Sequence, residues 1–374
     1  MKYLFILCLC LITSPVFLCS CNPPLPSTPE EIKTAENITP VARPAVKESV
    51  TEPPMPPGTA DADFTVETYN PAKSFNGYTV FAANYDPGRP RIIEVNMQGE
   101  VTWQYVLPDE LKLYTNPGFD VEPLLGGNVL FMLPRKGVYE INRDGKTVWS
   151  YISRMVSHDV DRLPNGNTLI AWYDANDIDA IQAREINPAG EVVWSWRAKS
   201  QLYKDPYINI RDDGWTHANA VERLPNGNTL ISLRNFSFVA EVDSAGSLVK
   251  KIGEGIFYYQ HDPHMLPSGN LLAASHRPPK EKAASYTSFP VMEIDPNSGQ
   301  ILWTYRGGLF EEQLPRGADR LPNGNTLITG TTKIIEVTPA GEIVWQLKLK
   351  HDIPWQDWPG RRFYTAERYR YPGR

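Results

Sequence analysis

The chain has 374 residues, 41% of them hydrophobic, enough for one large or two ordinary domains with a substantial core. Its formal net charge is −6 and it has no Lys/Arg run, which argues against a nucleic-acid partner. After the N-terminus no stretch approaches the ~18 consecutive apolar residues of a membrane span, so no internal span is expected.

The first residues read "MKYLFILCLCLITSPVFLCSCNPP". Lys2 supplies positive charge and Tyr3 to Leu18 are largely apolar, as in a secretory signal. The end of this stretch, "LCSC" at 18–21, resembles a bacterial lipobox, which implies cleavage before Cys21 and its lipidation. The expectation is a signal peptide at 1–20 on an exported bacterial lipoprotein, membrane-anchored and facing the periplasm or the cell surface. An uncleaved anchor or an ordinary signal peptide is the alternative. All four cysteines (Cys8, Cys10, Cys19, Cys21) lie in this segment. The rest of the chain therefore has no disulfide, thiolate nucleophile or cysteine metal site, and its chemistry falls to His, Arg, Asn, Tyr and carboxylates. Residues 21–62 run from "NPPLPSTPEE" to "TEPPMPPGTA" without apolar period and read as a Pro-rich tether.

From about residue 75 the chain repeats itself. The unit at 158–196 shows the plan. "HDVDRL" alternates as a strand, "PNGN" is a hairpin turn read as a two-residue Asn-Gly loop, and "TLIAWY" is the return strand. "AREI", the turn "NPAGE" and "VVWSW" complete four antiparallel strands, one propeller blade. The last turn and strand recur at 93–105, 139–151, 184–196, 240–252, 292–305 and 335–347, which makes six units. The predicted fold is an all-β, six-bladed propeller of four-stranded antiparallel blades over residues 63–374. A fifth strand from "ADFTVETYN" (62–70) is expected to extend the last blade and lock the ring. Trp103, Trp149, Trp194, Trp303 and Trp345 recur at one place, with Val249 in the fourth unit, and are expected to pack between blades.

Numbering each unit from the leucine before its turn, position −5 holds His158, Asn219, His261 and Arg316. If these strands line the channel, the four residues meet at one mouth. A two-residue loop pairs them across the hairpin with Tyr173, Arg234, His276 and Thr331, within side-chain reach. His217 shares the face of Asn219, while His264, Asp159 and Asp262 point to the other side, the two aspartates for structural hydrogen bonds. The fold does not require such a ring, since the second unit keeps its turn with Phe119 at that place. Cationic and hydrogen-bonding groups without a converging carboxylate pair suit an anionic ester. The aromatics of "FSF" (236–238), Tyr258 and Tyr259 either flank an aryl group or belong to the core.

"GWTHANAVERLPNGNTLISLRNFSFVAEVD" (214–243), "SHDVDRLPNGNTLI" (157–170), "QHDPHMLPSGNLL" (260–272) and "FYTAERYRYP" (363–372) resemble the bacterial arylsulfate sulfotransferase family. The likeness is good over about 150–372 and weaker over 75–150. It implies a six-bladed propeller that moves a sulfuryl group between phenols by a ping-pong route through a sulfohistidine, without a nucleotide donor or cofactor. It implies His261 as nucleophile, with His158, His217, Asn219 and Arg234 holding sulfuryl oxygens and assisting the departing phenolate. Arg316, His276 and Tyr173 complete the expected substrate-binding set. The expected partners are an aryl sulfate, a phenolic acceptor and the membrane through the lipid anchor.

Two other readings stand beside this one. "INRDGKTVWSY" and "IDPNSGQILWTY" also resemble quinone-dehydrogenase-like repeats, which include non-catalytic envelope scaffold lipoproteins; those usually have eight blades. A metal site on His158, His217 and His261 is the third, although carboxylate support on their face is missing, and no metal is expected.

Overall fold

The computed structural model describes residues 58–115, 118–173, 177–276, 289–306, 315–351 and 362–370. The expected signal peptide, Cys21 and the tether up to residue 57 lie outside them. The chain forms a six-bladed β-propeller of antiparallel sheets. Blades 2 to 5 are sequential, four strands each from inside to outside, and begin on inner strands Asp120–Pro123, Val156–Arg162, Ala218–Arg223 and His261–Met265. Blade 6 starts at Gly317–Arg320 and gains a fifth, outermost strand, Phe64–Tyr69, paired with Ile343–Leu349. The expected fifth strand on the last blade is therefore present.

Blade 1 is completed from both ends of the chain. Its inner strand is C-terminal, Phe363–Tyr369, paired with Tyr78–Ala83. Its outer edge carries Thr59–Ala60, inside the stretch read as tether, against Glu100 and Val101. Ring closure thus joins segments nearly 300 residues apart and covers strand edges that would otherwise stay open.

The turns differ from the sequence reading. Leu163 N donates to Asn167 O and Gly166 N to Leu163 O, both at 2.9 Å, with Gly166 at φ 86°. The loop is therefore three residues, Pro-Asn-Gly, a type I turn closed by a left-handed glycine. Proline decides this: its fixed φ suits the first corner of a type I turn, and it lacks the N–H that a two-residue loop would need beside it. The next asparagine ties the loop to the third strand. Asn128, Asn167, Asn228, Asn270 and Asn325 each donate Nδ2 to a glutamate there, at 2.6–2.7 Å.

Second strands such as Thr168–Trp172 and Thr229–Leu233 are buried throughout, because neighbouring blades cover both faces. The five tryptophans lie between blades, as expected. Each lies under an arginine, and each of those arginines is paired with a glutamate: Arg162 sits 4.8 Å over Trp149 and 3.0 Å from Glu140. Arg143, Arg223, Arg320 and Arg368 repeat this on Trp103, Trp194, Trp303 and Trp345. The unit with Val249 instead of tryptophan is followed by Met265 where Arg162, Arg223, Arg320 and Arg368 stand in other units, and Arg143 reaches Trp103 from a different position.

Candidate active site at the head of the inner strands

The C-terminal strand supplies the sixth member of the polar ring. Arg368 pairs with Thr79 as Arg162 pairs with Thr168, which places Tyr364 where the other blades carry Phe119, His158, Asn219, His261 and Arg316. His158, Asn219, His261, Arg316 and Tyr364 line one small cavity. Sequence reasoning missed Tyr364 because the tail reads as an extension after the last unit. The missed signal was "AERY" (366–369), whose arginine and spacing match "VDRL" (160–163).

The three-residue loop and bulges in the inner strands change the expected pairings. His158 and Asn219 fall within register shifts, His261 pairs with Ala274, and Arg316 N donates to Thr329 O. His158–Tyr173, Asn219–Arg234, His261–His276 and Arg316–Thr331 are therefore not cross-strand partners: a three-residue loop moves the pairing by one, and each bulge moves it further. The side chains of His261 and His276 still meet, with ring centroids 3.8 Å apart. His158 instead stacks on His217, at 5.2 Å. Tyr173 lies outside the cavity lining; its hydroxyl accepts from Arg135 at 2.9 Å.

Backbone carbonyls fix the tautomers. His261 Nδ1 lies 2.9 Å from Tyr259 O and His217 Nδ1 lies 2.7 Å from Asp213 O, so each carries its proton there and leaves Nε2 as a lone-pair nitrogen. Arg316 Nη1 then donates to His261 Nε2 at 2.8 Å. His276 donates from Nε2 to Pro315 O. His217 sits at φ 50° in a loop held by Asn235, whose Nδ2 donates to Asp212 O and Gly214 O. This gives the "SLRN" motif a physical content. Asn235 fixes the loop of His217, Ser232 Oγ accepts from Gln260 Nε2, and Arg234 lies 4.6 Å over the ring of Tyr259.

The site is buried and cationic. Burial, then Arg234 and Arg316, push His158 down to about 3. Burial first, with His276 and Arg316 next, holds His261 well below the usual histidine range; His217 and His276 are lowered mainly by burial too. Burial lowers Arg316 to about 10, still charged at neutral pH. Neither Arg234 nor Arg316 forms an ion pair with a carboxylate among the described residues. Neutral imidazoles beside unpaired guanidiniums suit a tetrahedral anion.

Asp159 and Asp262 line both this small cavity and a second one of about 210 Å³ further along the channel, which also includes Asp120 and His264, so the two aspartates are not turned wholly to the other side. As expected, Asp159 and Asp262 make structural bonds: each accepts from the next inner strand, at Val221 N (2.6 Å) and Ala318 N (3.0 Å). Asp120 and Glu122 do the same to Val160 N and Arg162 N. Among the described residues, the group whose ligand atoms converge within 4.8 Å is Asp262, His264 and Asp319, a different group from the histidines considered from sequence.

Residues 71–258, half of the chain, match the family model for arylsulfotransferase (ASST). No curated protein matches. Among solved structures, a protein of unknown function from Bacteroides caccae is 19% identical, covers 78% of this chain and 98% of its own, and has a TM-score of 0.54, which shows the shared fold. A virginiamycin B lyase from Staphylococcus aureus follows at 13% identity, 75% and 87% coverage and TM-score 0.47. BamB from Moraxella catarrhalis has 10% identity, 73% and 82% coverage and TM-score 0.38.

Proposed function

Because the chain belongs to the arylsulfotransferase (ASST) family, a family whose substrates are small aryl molecules, we propose that it moves a sulfuryl group from a phenolic sulfate ester to a phenolic acceptor. The reaction runs in two halves through a sulfohistidine on His261 and needs no nucleotide donor. His261 Nε2 attacks sulfur, the S–O bond to the aryl group breaks, and the phenolate leaves. A phenol then attacks the same sulfur, the S–N bond breaks, its electron pair returns to Nε2, and the phenol's proton is taken up by a neutral histidine of the site.

The observation that carries this reading is the setting of His261: a buried neutral imidazole, its proton held on Nδ1 by Tyr259 O, its Nε2 lone pair against Arg316. A neutral nitrogen is the nucleophile this step needs. Arg316 and Arg234 offer charge to the sulfuryl oxygens, while His158, stacked on His217, and Asn219 complete the wall of the site. The stacked ring of His276 keeps His261 in place. Exported work on a lipid anchor at Cys21 belongs to the same proposal, and the mass of the mature N-terminal peptide tests it.

Incubation with 4-nitrophenyl sulfate followed by peptide mass spectrometry is expected to show one added sulfuryl group on His261, with loss of turnover in His261→Ala. An unlabelled His261 together with an unchanged rate in that variant would sink the reading.

A further inference from the structure

Asn219 is 5% exposed and lines the cavity beside His261 and Arg316. Its Nδ2 donates to Gln260 O at 2.9 Å, which fixes the orientation of the amide: a flip would set two oxygens against each other. Its Oδ1 is buried and has no hydrogen-bond partner. An amide oxygen in that state is under-satisfied, and only a donor relieves it. The oxygens of a sulfuryl group are acceptors and cannot. The hydroxyl proton of a phenol can.

We infer that Asn219 Oδ1 docks the acceptor phenol in its protonated form by accepting its O–H; the inference rests on the sulfuryl-transfer reading above. With the proton turned toward Asn219, a lone pair of the phenol oxygen is left to face sulfur on His261. As the S–O bond forms and the S–N bond breaks, the proton passes to neutral His158. The Nδ1 of His158, in the same lining, is buried without a hydrogen-bond partner and is open to take it. The site therefore selects hydroxyl donors, phenols above all, over ionised phenolates, whose charge Oδ1 would repel.

The test separates the two halves by rapid mixing. The burst of 4-nitrophenolate reports sulfation of His261, and addition of phenol to the sulfated enzyme reports discharge. In Asn219→Ala, discharge is expected to slow about tenfold or more beyond any change in the burst. Equal slowing of both halves would overturn the inference and assign Asn219 to the sulfuryl group. A second measurement needs no variant: discharge of the wild-type sulfated enzyme by an electron-poor phenol, followed through that phenol's own pKa at pH values below the value of about 10 at which Arg316 loses its charge. The rate should fall as phenolate replaces phenol; a rate that climbs with the phenolate fraction overturns the inference. A wild-type enzyme with no burst fails the underlying reading instead.

Discussion

Arg316 Nη1 lies 2.8 Å from His261 Nε2, so the guanidinium donates to the one imidazole lone pair, the nucleophile of the proposed transfer. In the proposed reaction, attack would require Arg316 to exchange this bond for one to the incoming anion. The exchange keeps a positive charge beside the reacting sulfur throughout.

Arg316→Ala is thus expected to lower the burst rate by about 10²–10³-fold, the range for removing a donor aimed at developing charge. Arg316→Lys should recover little of it, since a lysine offers a point charge in place of a planar fork. Burst amplitude and rate in both variants check this.

The four depressed histidines set the pH profile of the first half-reaction. With His158 pushed down to about 3 and His261 also well below its usual value, both stay unprotonated in mild acid. Enzyme sulfation should change by less than about twofold between pH 8 and pH 5. A nucleophile with the ordinary histidine pKa of about 6.5 would lose roughly 30-fold over that range. Burst rates across the range decide between them.

Tyr364 depends on a glycine for its seat. A Cβ on Gly118, at φ 154°, would come 2.0 Å from the tyrosine ring. Gly118→Ala should displace Tyr364 and cut kcat by about 10²-fold, the scale of an ångström-level misplacement, with far-UV circular dichroism retained. Tyr364→Phe, which keeps the ring and removes only the hydroxyl, should lose less.

Arg368 and Glu336 form an ion pair with both side chains 0% exposed, on the strand that closes the ring. Arg368→Met strands a buried carboxylate and is expected to cost about 3–5 kcal/mol. Adding Glu336→Gln, which is uncharged and still accepts from Asn325, should restore part of it. Urea unfolding of the two variants checks the order.

The channel carboxylates give stability an acid preference. Burial first, then Asp262, pushes Asp120 up to about 7. Between its unfolded value near 4 and its folded value, the native state holds the proton and the unfolded state does not. This contribution is therefore full in acid and falls as pH rises, by about 1 kcal/mol per pH unit until pH 7. Asp120→Asn should flatten that slope between pH 5 and 7 in otherwise identical melts.

Six blades were readable because a blade is local. Three hairpin turns are set by Pro-Asn-Gly within three residues, and each of the five tryptophans stands four residues after the glycine of the turn before its own strand, so the recurring pattern gives the count. The members of the ring at His158, Asn219, His261 and Arg316 were readable for the same reason, as one offset in successive units. The hairpin pairings were not, because a two-residue and a three-residue loop share "NG" and differ in what the proline before it permits.

The repeat, and the residues that break it, can thus be read from chain order. Tertiary structure alone decided that Phe363–Tyr369 returns to line blade 1, which adds Tyr364 to a ring otherwise drawn from residues 119–316. It also decided which nitrogen of His261 is free, through Tyr259 O and Arg316, and which atom of Asn219 is left unpaired, through Gln260 O. Turn chemistry acts over a few residues and is written in order along the chain. Ring closure and tautomer choice depend on groups that only folding brings within 3 Å of one another.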